Sequence, residues 1–554
     1  MLDVNKEYPI ETKLTKEEQA EINSLTEDEY KEHFNGNLEF GTGGMRGVMG
    51  VGPNRMNRLT IYRATLGFGR YLLENEPDSQ NRGVVIAHDN RYNGELFQNV
   101  AANCLTSLGI KVYVFDTLRT TPELSFAVRY LNACGGINIT ASHNPKEYNG
   151  YKIYNSDGNQ LILEQSNKVM EKISVIPYGR EIDAMPDKSK YILLDNKVDD
   201  AFLKMVEETT INNNVDTHNL KIVYTPQHGT GYVPVTTILK RKGYNLIEVK
   251  EQCDPLPDFP NTLSPNPENK EAYDLACKYA FANNADIAIS NDPDCDRIGV
   301  VCFKDNKAHY MTGNQTAACL IYYLLEHKKE TNTLPNNGVI YNTIVTSPLG
   351  KLIAADYGVN IIQTLTGFKY IGDRIKKDTN LSFLMGYEES YGYLFNPEVR
   401  DKDGVQATLI ICEMAAYFKM HHKTLIDVYE DLERKYGFFA ESQKSFYKQG
   451  SEGAKIIKGI MDNLRHGTLD TIAGEKVATK EDYLLSKAVS GNKETFLDYE
   501  KSNVLRYVFA DGSFVAIRPS GTEPKIKYYF ALKGKTFKEA TNRLNKMEDF
   551  FLNK

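Results

Sequence analysis

ADIAISNDPDCDR, residues 285–297, runs from an apolar strand-like stretch straight into a polar loop with aspartates at 292, 294 and 296. The run ADIAIS is too short for a helix and is bounded by a turn-forming loop, which reads as a buried strand. Working outward from it, the same order of events occurs three times in the first 390 residues: a strand, a helical stretch, a second strand and then a third. The first copy has strands at 83–87 (GVVIA), 109–115 (GIKVYVF) and 136–140 (GINIT). The second has them at 220–224, 243–249 and 285–290, and the third at 338–342, 358–364 and 381–386. A glycine, Gly109, Gly243 or Gly358, opens the second strand of each copy, where a helix commonly ends in a left-handed cap.

Buried strands alternating with helices predict mixed or mainly parallel sheets, whose ligands gather beyond the carboxyl ends of the strands. The third strand of each copy ends in an unusual polar loop: TASHNP at 140–145, NDPDCDR at 291–297 and GYEES at 386–390. Each domain is therefore expected to contribute one functional loop to a shared central cleft. The last part differs. Residues 503–509 and 513–517 alternate like half-buried strands around Asp511-Gly512, and 526–532 is a further strand leading into a helix from Thr536. The fold class expected is α/β, three similar domains with mixed sheets plus a C-terminal α+β domain. The divisions fall at 1–205, 206–320, 321–440 and 441–554, and the polar segment 440–502 reads as helical.

At 554 residues the chain exceeds one hydrophobic core. Its 41% hydrophobic and 25% charged composition is that of a globular protein. A net charge of −7 argues against general nucleic-acid binding, so no such partner is expected and any anionic ligand must meet a locally basic site. The N-terminal residues lack a targeting pattern and no apolar run reaches membrane-spanning length, which makes the cytoplasm the default and a membrane partner unexpected. The eight cysteines form no CxxC pair and read as small buried hydrophobes.

Asp292, Asp294 and Asp296, stiffened by Pro293, suit a divalent cation such as magnesium. A calcium loop counted from Asp292 would need Gly where Arg297 stands and Glu where Phe303 stands. Ser142 sits at a strand end before Asn144-Pro145, with a hydroxyl expected to be exposed. A serine hydrolase would carry GxSxG, whereas this loop reads TASHN. His143 could reach back to Ser142 only if the backbone were not extended, because consecutive side chains of an extended chain diverge. FGTGGMRG at 40–47 has neither the lysine of a phosphate-binding P-loop nor the GxGxxG spacing, so nucleotide binding is not supported.

Taken together, TASHNPKEYNGYKIY at 140–154, NDPDCDRIGV at 291–300, TGFKYIG at 366–372, GYEESYGY at 386–393 and RPSGTEPKIKYY at 518–529 closely resemble the α-D-phosphohexomutase superfamily, and within it the longer phosphoglucomutases and phosphopentomutases. The resemblance spans about 40–530 in order. It implies four domains around a deep cleft, a phosphorylated serine at Ser142, and magnesium held by Asp292, Asp294 and Asp296 with a Ser142 phosphate oxygen. Arg46 and Lys152 are the expected cations beside the transferring group, and His143 or Lys152 the general base. Arg297, Thr366, Gly367, Lys369, Glu388 and Ser390 are expected to bind the sugar, with Glu389 turned away. Arg518, Ser520, Gly521, Thr522 and Lys525 form a donor set that fits a phosphate monoester. The implied reaction interconverts glucose 1-phosphate and glucose 6-phosphate, with glucose 1,6-bisphosphate as intermediate and activator and small sugar phosphates as the only partners. Pentose or mannose phosphates are the alternatives, and a phosphatase or a non-catalytic sensor the competing classes. Oligomeric state is not legible.

Overall fold

The computed structural model describes residues 14–40, 44–179, 185–447, 450–467, 469–519 and 525–552. The chain divides into two compact units. The first runs to Met311 and takes in Ile371–Thr379 and Ser390–His422; the second comprises Thr312–Tyr370, Asn380–Glu389 and the chain from Lys423 onward.

The first unit holds two sheets. Strands β1 (Gly44–Val48), β2 (Val84–His88), β3 (Val112–Val114), β4 (Gly135–Ile139), β5 (Tyr148–Asn155) and β6 (Tyr191–Leu193) are ordered β1-β5-β4-β2-β3-β6. The second sheet contains β7 (Lys221–Thr225), β8 (Asn245–Glu248), β9 (Ile287–Asn291), β10 (Ile298–Lys304) and β11 (Lys307–Met311), ordered β11-β10-β9-β7-β8. In each, the first strand of the repeat lies between the other two and parallel to both: β2 between β3 and β4, and β7 between β8 and β9. Antiparallel strands β5 and β10 are added beside the third strand, which makes both sheets mixed. The repeated glycines have the expected backbone, φ 74° at Gly109 and 78° at Gly243, which only glycine adopts without strain. Helix Thr121–Tyr130 begins at Thr120, whose hydroxyl accepts the Glu123 N–H, with Pro122 in its first turn. The core under β2 and β4 is built from Val84, Ile86, Ile137 and Ile139 against Phe68, Phe97 and Leu105.

In the second unit, β12 (Gly338–Thr343) lies between β13 (Asn360–Thr364) and β14 (Ser382–Glu388), parallel to both, so the third copy repeats the order. Gly358 has φ 69°. The C-terminal sheet is antiparallel throughout, with Phe438–Tyr447, Lys525–Gly534, Phe514–Pro519, Leu505–Phe509, Glu475–Asp482, Lys487–Ser490 and Lys493–Phe496 adjacent in that order. The Asp511-Gly512 hairpin is present, with Gly512 at φ 84°.

The helical expectation for 440–502 is corrected: Gly450–His466 is a helix, but Glu475–Asp482 and the hairpin to Phe496 are strands. EKVATKED carries charge on both faces and so lacks the apolar alternation that marks a half-buried strand. Pairing of Glu475–Asp482 with Leu505–Phe509 is what makes it one. All eight cysteines are buried. Among the described residues no helix is long and apolar enough to cross a membrane.

Candidate active site

The serine loop starts where β4 ends. Thr140 Oγ1 accepts the Ser142 N–H at 2.8 Å, a local turn that competes with strand continuation, and Ser142 takes φ 51°. The side chain folds inward, leaving Ser142 2% exposed, contrary to the exposed hydroxyl read from the turn signals. Its Oγ donates to Asp292 Oδ2 at 2.7 Å and lies 3.2 Å from His143 Nδ1. That second distance overturns the expectation that neighbours 142 and 143 point apart, because alternation belongs to extended backbone and Ser142 is left-handed. Burial, with the positive charges of Arg297 and Arg46, holds the His143 imidazole well below its usual range.

The aspartate loop follows β9. Asp292 Oδ1 accepts the backbone N–H groups of Asp296 and Arg297 at 3.1 and 2.9 Å, which closes the turn around that carboxylate. Asp294 Oδ2 accepts Thr121 Oγ1 at 2.7 Å and Lys152 Nζ at 2.7 Å. Asp296 Oδ2 lies 3.3 Å from Lys152 Nζ and 3.2 Å from Lys402 Nζ. Burial and the negative charges of Asp294 and Asp296 push Asp292 well above the usual carboxylate range. Burial opposes ionisation of Asp294 too, but the Lys152 ammonium outweighs it and holds that group low.

The fit to a metal ion rests on the donors themselves. One oxygen from each aspartate lies within 4.8 Å of the others. Asp294 Oδ1 and Asp296 Oδ1 are buried with no hydrogen-bond partner among the described residues. Buried polar atoms are normally satisfied, so hard oxygens left open in this way suit a divalent cation.

The sheet brings two expected cations to one face. In the antiparallel β1–β5 pair, Arg46 faces Gly150 and Gly44 faces Lys152, so residues two apart put Arg46 and Lys152 on the same side. Arg46 Nη1 donates to Asn144 Oδ1 at 2.7 Å, which ties it to the serine loop. Burial disfavours a charged Lys152, yet Asp294 and Asp296 raise it, so it stays an ammonium. Arg297 Nη1 is bonded to Glu268 Oε1 at 2.5 Å.

Two residues of this site escaped the sequence reading. Thr121, first residue of its helix, binds the aspartate loop twice, through its hydroxyl and through its N–H to the Asp294 carbonyl at 2.9 Å. Lys402 lies between Asp401 and Asp403 just before helix Gly404–Met420, and its Nζ is 3.1 Å from Asp401 Oδ1. The available signal was a charged RDKD run placed directly before an apolar helix.

In the second unit, Glu388 ends β14 and its Oε1 accepts the Gly367 N–H at 2.8 Å, with Gly367 at φ 120°. Thr366 Oγ1 is buried without a partner among the described residues. Lys369 is 8% exposed, and burial, with Arg518 adding like charge, lowers it to about 8. Glu389 Oε2 accepts the Thr343 hydroxyl at 3.0 Å, an engagement with β12 of its own domain. Arg518 is half-buried in Phe514–Pro519 opposite Lys527, and Lys525 opens Lys525–Gly534. Ser520, Gly521 and Thr522 lie outside the described residues. Ser390, half-buried, begins the segment that belongs to the first unit.

Four domain families match in order: phosphoglucomutase/phosphomannomutase alpha/beta/alpha domain I at 37–178, domain II at 200–305 and domain III at 312–436, and the phosphoglucomutase/phosphomannomutase C-terminal domain at 471–536. A phosphoglucomutase of Staphylococcus haemolyticus is 40% identical over 519 residues, 92% of each chain. One from Staphylococcus aureus is 39% identical over 528 residues, 94% of each. Among solved structures, the Paramecium phosphoprotein pp63/parafusin, a phosphoglucomutase in its open form, superposes with a TM-score of 0.69 at 19% identity, covering 93% of this chain and 94% of that one. A putative phosphomannomutase from Thermus thermophilus gives 0.66 at 21%, covering 92% and 99%; both show the shared fold. With serine and aspartate loops at the ends of equivalent strands and all four domains matched in order, the chain belongs to the phosphoglucomutase/phosphomannomutase family of the α-D-phosphohexomutase superfamily.

Proposed function

We propose that this enzyme interconverts glucose 1-phosphate and glucose 6-phosphate through a phosphorylated Ser142. The observation that carries the reading is the Ser142 hydroxyl, 2.7 Å from Asp292 and aimed into three buried carboxylates. The phosphoglucomutase relatives favour glucose over pentose or mannose phosphates.

The free hydroxyl of a bound sugar monophosphate attacks the phosphorus on Ser142. The new O–P bond forms as the bond to Oγ breaks, and the proton lost by the sugar hydroxyl ends on Oγ. His143, whose Nδ1 is 3.2 Å from Oγ, is placed to relay that proton. Lys152 is bonded to two aspartates and serves as a cation, not a base, beside Arg46 and Lys402. The glucose 1,6-bisphosphate turns over in the site, and Oγ then attacks its other phosphate along the reverse course, so the bisphosphate is also the activator.

Asp292, Asp294 and Asp296, together with the phosphorylated Ser142, would hold magnesium. Such an ion would supply positive charge to neutralise the transferring oxygens. Glu388 and Ser390 take the sugar hydroxyls with Arg297, Thr366, Gly367 and Lys369. Arg518, Ser520, Gly521, Thr522 and Lys525 take the distal phosphate. The division at 205, 320 and 440, with one loop per domain, and a cytoplasmic setting in which buried cysteines stay reduced, belong to the same proposal.

The test is a coupled assay of glucose 1-phosphate turnover with magnesium and a trace of glucose 1,6-bisphosphate, beside ribose 1-phosphate and mannose 1-phosphate. Glucose 1-phosphate is expected to be preferred, with activity lost in EDTA and in Ser142→Ala. Preference for ribose 1-phosphate would move the assignment to pentose phosphates, and full activity of Ser142→Ala would end the phosphoserine mechanism.

A further inference from the structure

The loop after β2, at the carboxyl end of the first strand of the repeat, carries an arginine for which the mechanism above has no use. Arg91 is 4% exposed and is fixed from its own side. Its N–H donates to Asp89 Oδ1 at 3.0 Å, its Nε lies 3.3 Å from Asp89 Oδ2, and the Asp89 N–H donates to the Ile139 carbonyl at the end of β4 at 3.0 Å. From that anchor the guanidinium reaches four backbone carbonyls of the serine loop. Nη2 donates to Ser142 O at 2.6 Å and Asn144 O at 2.5 Å, and Nη1 to Pro145 O at 2.7 Å and Tyr148 O at 2.9 Å. The Phe259 ring lies 5.4 Å from the guanidinium carbon.

The bond to the Ser142 carbonyl is buried and the other three are partly buried, and the Pro145 carbonyl also accepts the Tyr148 N–H at 3.1 Å; a buried carbonyl left without a donor is costly, most of all at Ser142. Capture of all four by one planar fork turns the loop's carbonyls toward Arg91 and fits the left-handed Ser142, whose side chain points to Asp292. We propose that Arg91 is a positioning residue for the reaction: it does not touch the transferring group, but its bonds to four carbonyls set the direction of Ser142 Oγ and with it the rate of phosphoryl transfer. An ammonium has three donors on one nitrogen and cannot reproduce a planar fork across four acceptors, so Arg91→Lys keeps the charge and loses the geometry.

The inference rests on the phosphoserine reading, and the experiment separates the two. Intact magnesium-loaded enzyme is incubated with phosphorus-labelled glucose 1,6-bisphosphate. Failure to label the native protein would overturn that reading and this inference with it. With native labelling established, Arg91→Lys is expected to melt cooperatively, to lose about 10²-fold in kcat as for a displacement of about 1 Å, and to keep KM for glucose 1-phosphate within about threefold. The ³¹P resonance of its phosphoserine is expected to shift or broaden. Asp89→Asn keeps the arginine but removes the carboxylate charge that holds the fork from behind, so the four bonds loosen, and it is expected to show a smaller effect in the same direction; it decides the matter should Arg91→Lys not fold. Native kcat in the variant that folds, a kcat loss equal to its unfolded fraction, or an unchanged ³¹P signal would overturn the proposal.

Discussion

Gly229 is where packing behind the aspartate loop can be turned into a rate. It follows β7 in PQHGTG, and a Cβ built on it would lie 2.4 Å from Pro293 Cα and 2.5 Å from the Pro293 carbonyl oxygen. Ordinary carbon contacts lie near 3.5 Å, so Gly229→Ala drives the Pro293 backbone back by about 1 Å. Pro293 lies between Asp292 and Asp294 and is held by Thr230, whose N–H and hydroxyl both donate to its carbonyl, at 2.7 and 2.9 Å. A shift there moves both carboxylates. A misplacement of about 1 Å costs on the order of 10²-fold in rate, about 2.7 kcal/mol of barrier, and overpacking costs about 1–3 kcal/mol of stability. The assay is kcat for glucose 1-phosphate as a function of magnesium, taken well below the variant's melting transition so that the stability loss does not enter. Gly459→Ala is the matched control: it lies in helix Gly450–His466 with nothing within 4 Å of its built Cβ, and it should gain up to about 1 kcal/mol with kcat unchanged. A Gly229→Ala enzyme with native kcat and native magnesium dependence would refute the reasoning, because the loop would then have absorbed the shift without moving its carboxylates.

Two further predictions concern lysines. Lys402→Met removes a buried cation from Asp296 and Asp401; in EDTA, urea unfolding should report a loss of about 3–5 kcal/mol, that of breaking a buried pair, and a native midpoint would show that Lys402 does not stabilise those carboxylates. Lys369, lowered to about 8 by burial and by Arg518, should lose its proton as the pH rises through that value. KM for the anionic substrate should therefore climb in mildly alkaline solution with kcat little changed, and Lys369→Arg should flatten the rise; a flat native KM profile would remove Lys369 from substrate binding.

Gly109, Gly243 and Gly358 show how far the sequence carries. Each stands between a helical stretch and a strand in the sequence, and each has φ between 69° and 78°, because a helix cap is a local demand that a single residue type meets. The aspartate triad was legible for the same reason: three carboxylates on alternate residues of one loop are close wherever the loop lies. Lys402 was not legible, since it meets Asp296 from more than a hundred residues away and its neighbours in sequence say nothing of that partner. Arg91 was hidden for a related reason: it lies in DNRYNG after the first strand β2, which like PQHGTG after β7 grips the loop of a third strand from behind, and Thr121, at the head of the helix after β3, likewise meets Asp294 only through the fold.

The sequence by itself determined the kinds and order of elements, the threefold repeat, and which loops carry chemistry, because hydrophobic period and turn residues act over a few positions. Only the tertiary structure decided that Ser142 is buried and left-handed, that His143 turns back to it, and that 475–496 pairs as strands. Those outcomes depend on contacts with residues far along the chain: Asp292 for the serine and Leu505–Phe509 for the strand. Long-range packing of this kind overrides local preference and leaves no local pattern from which to read it.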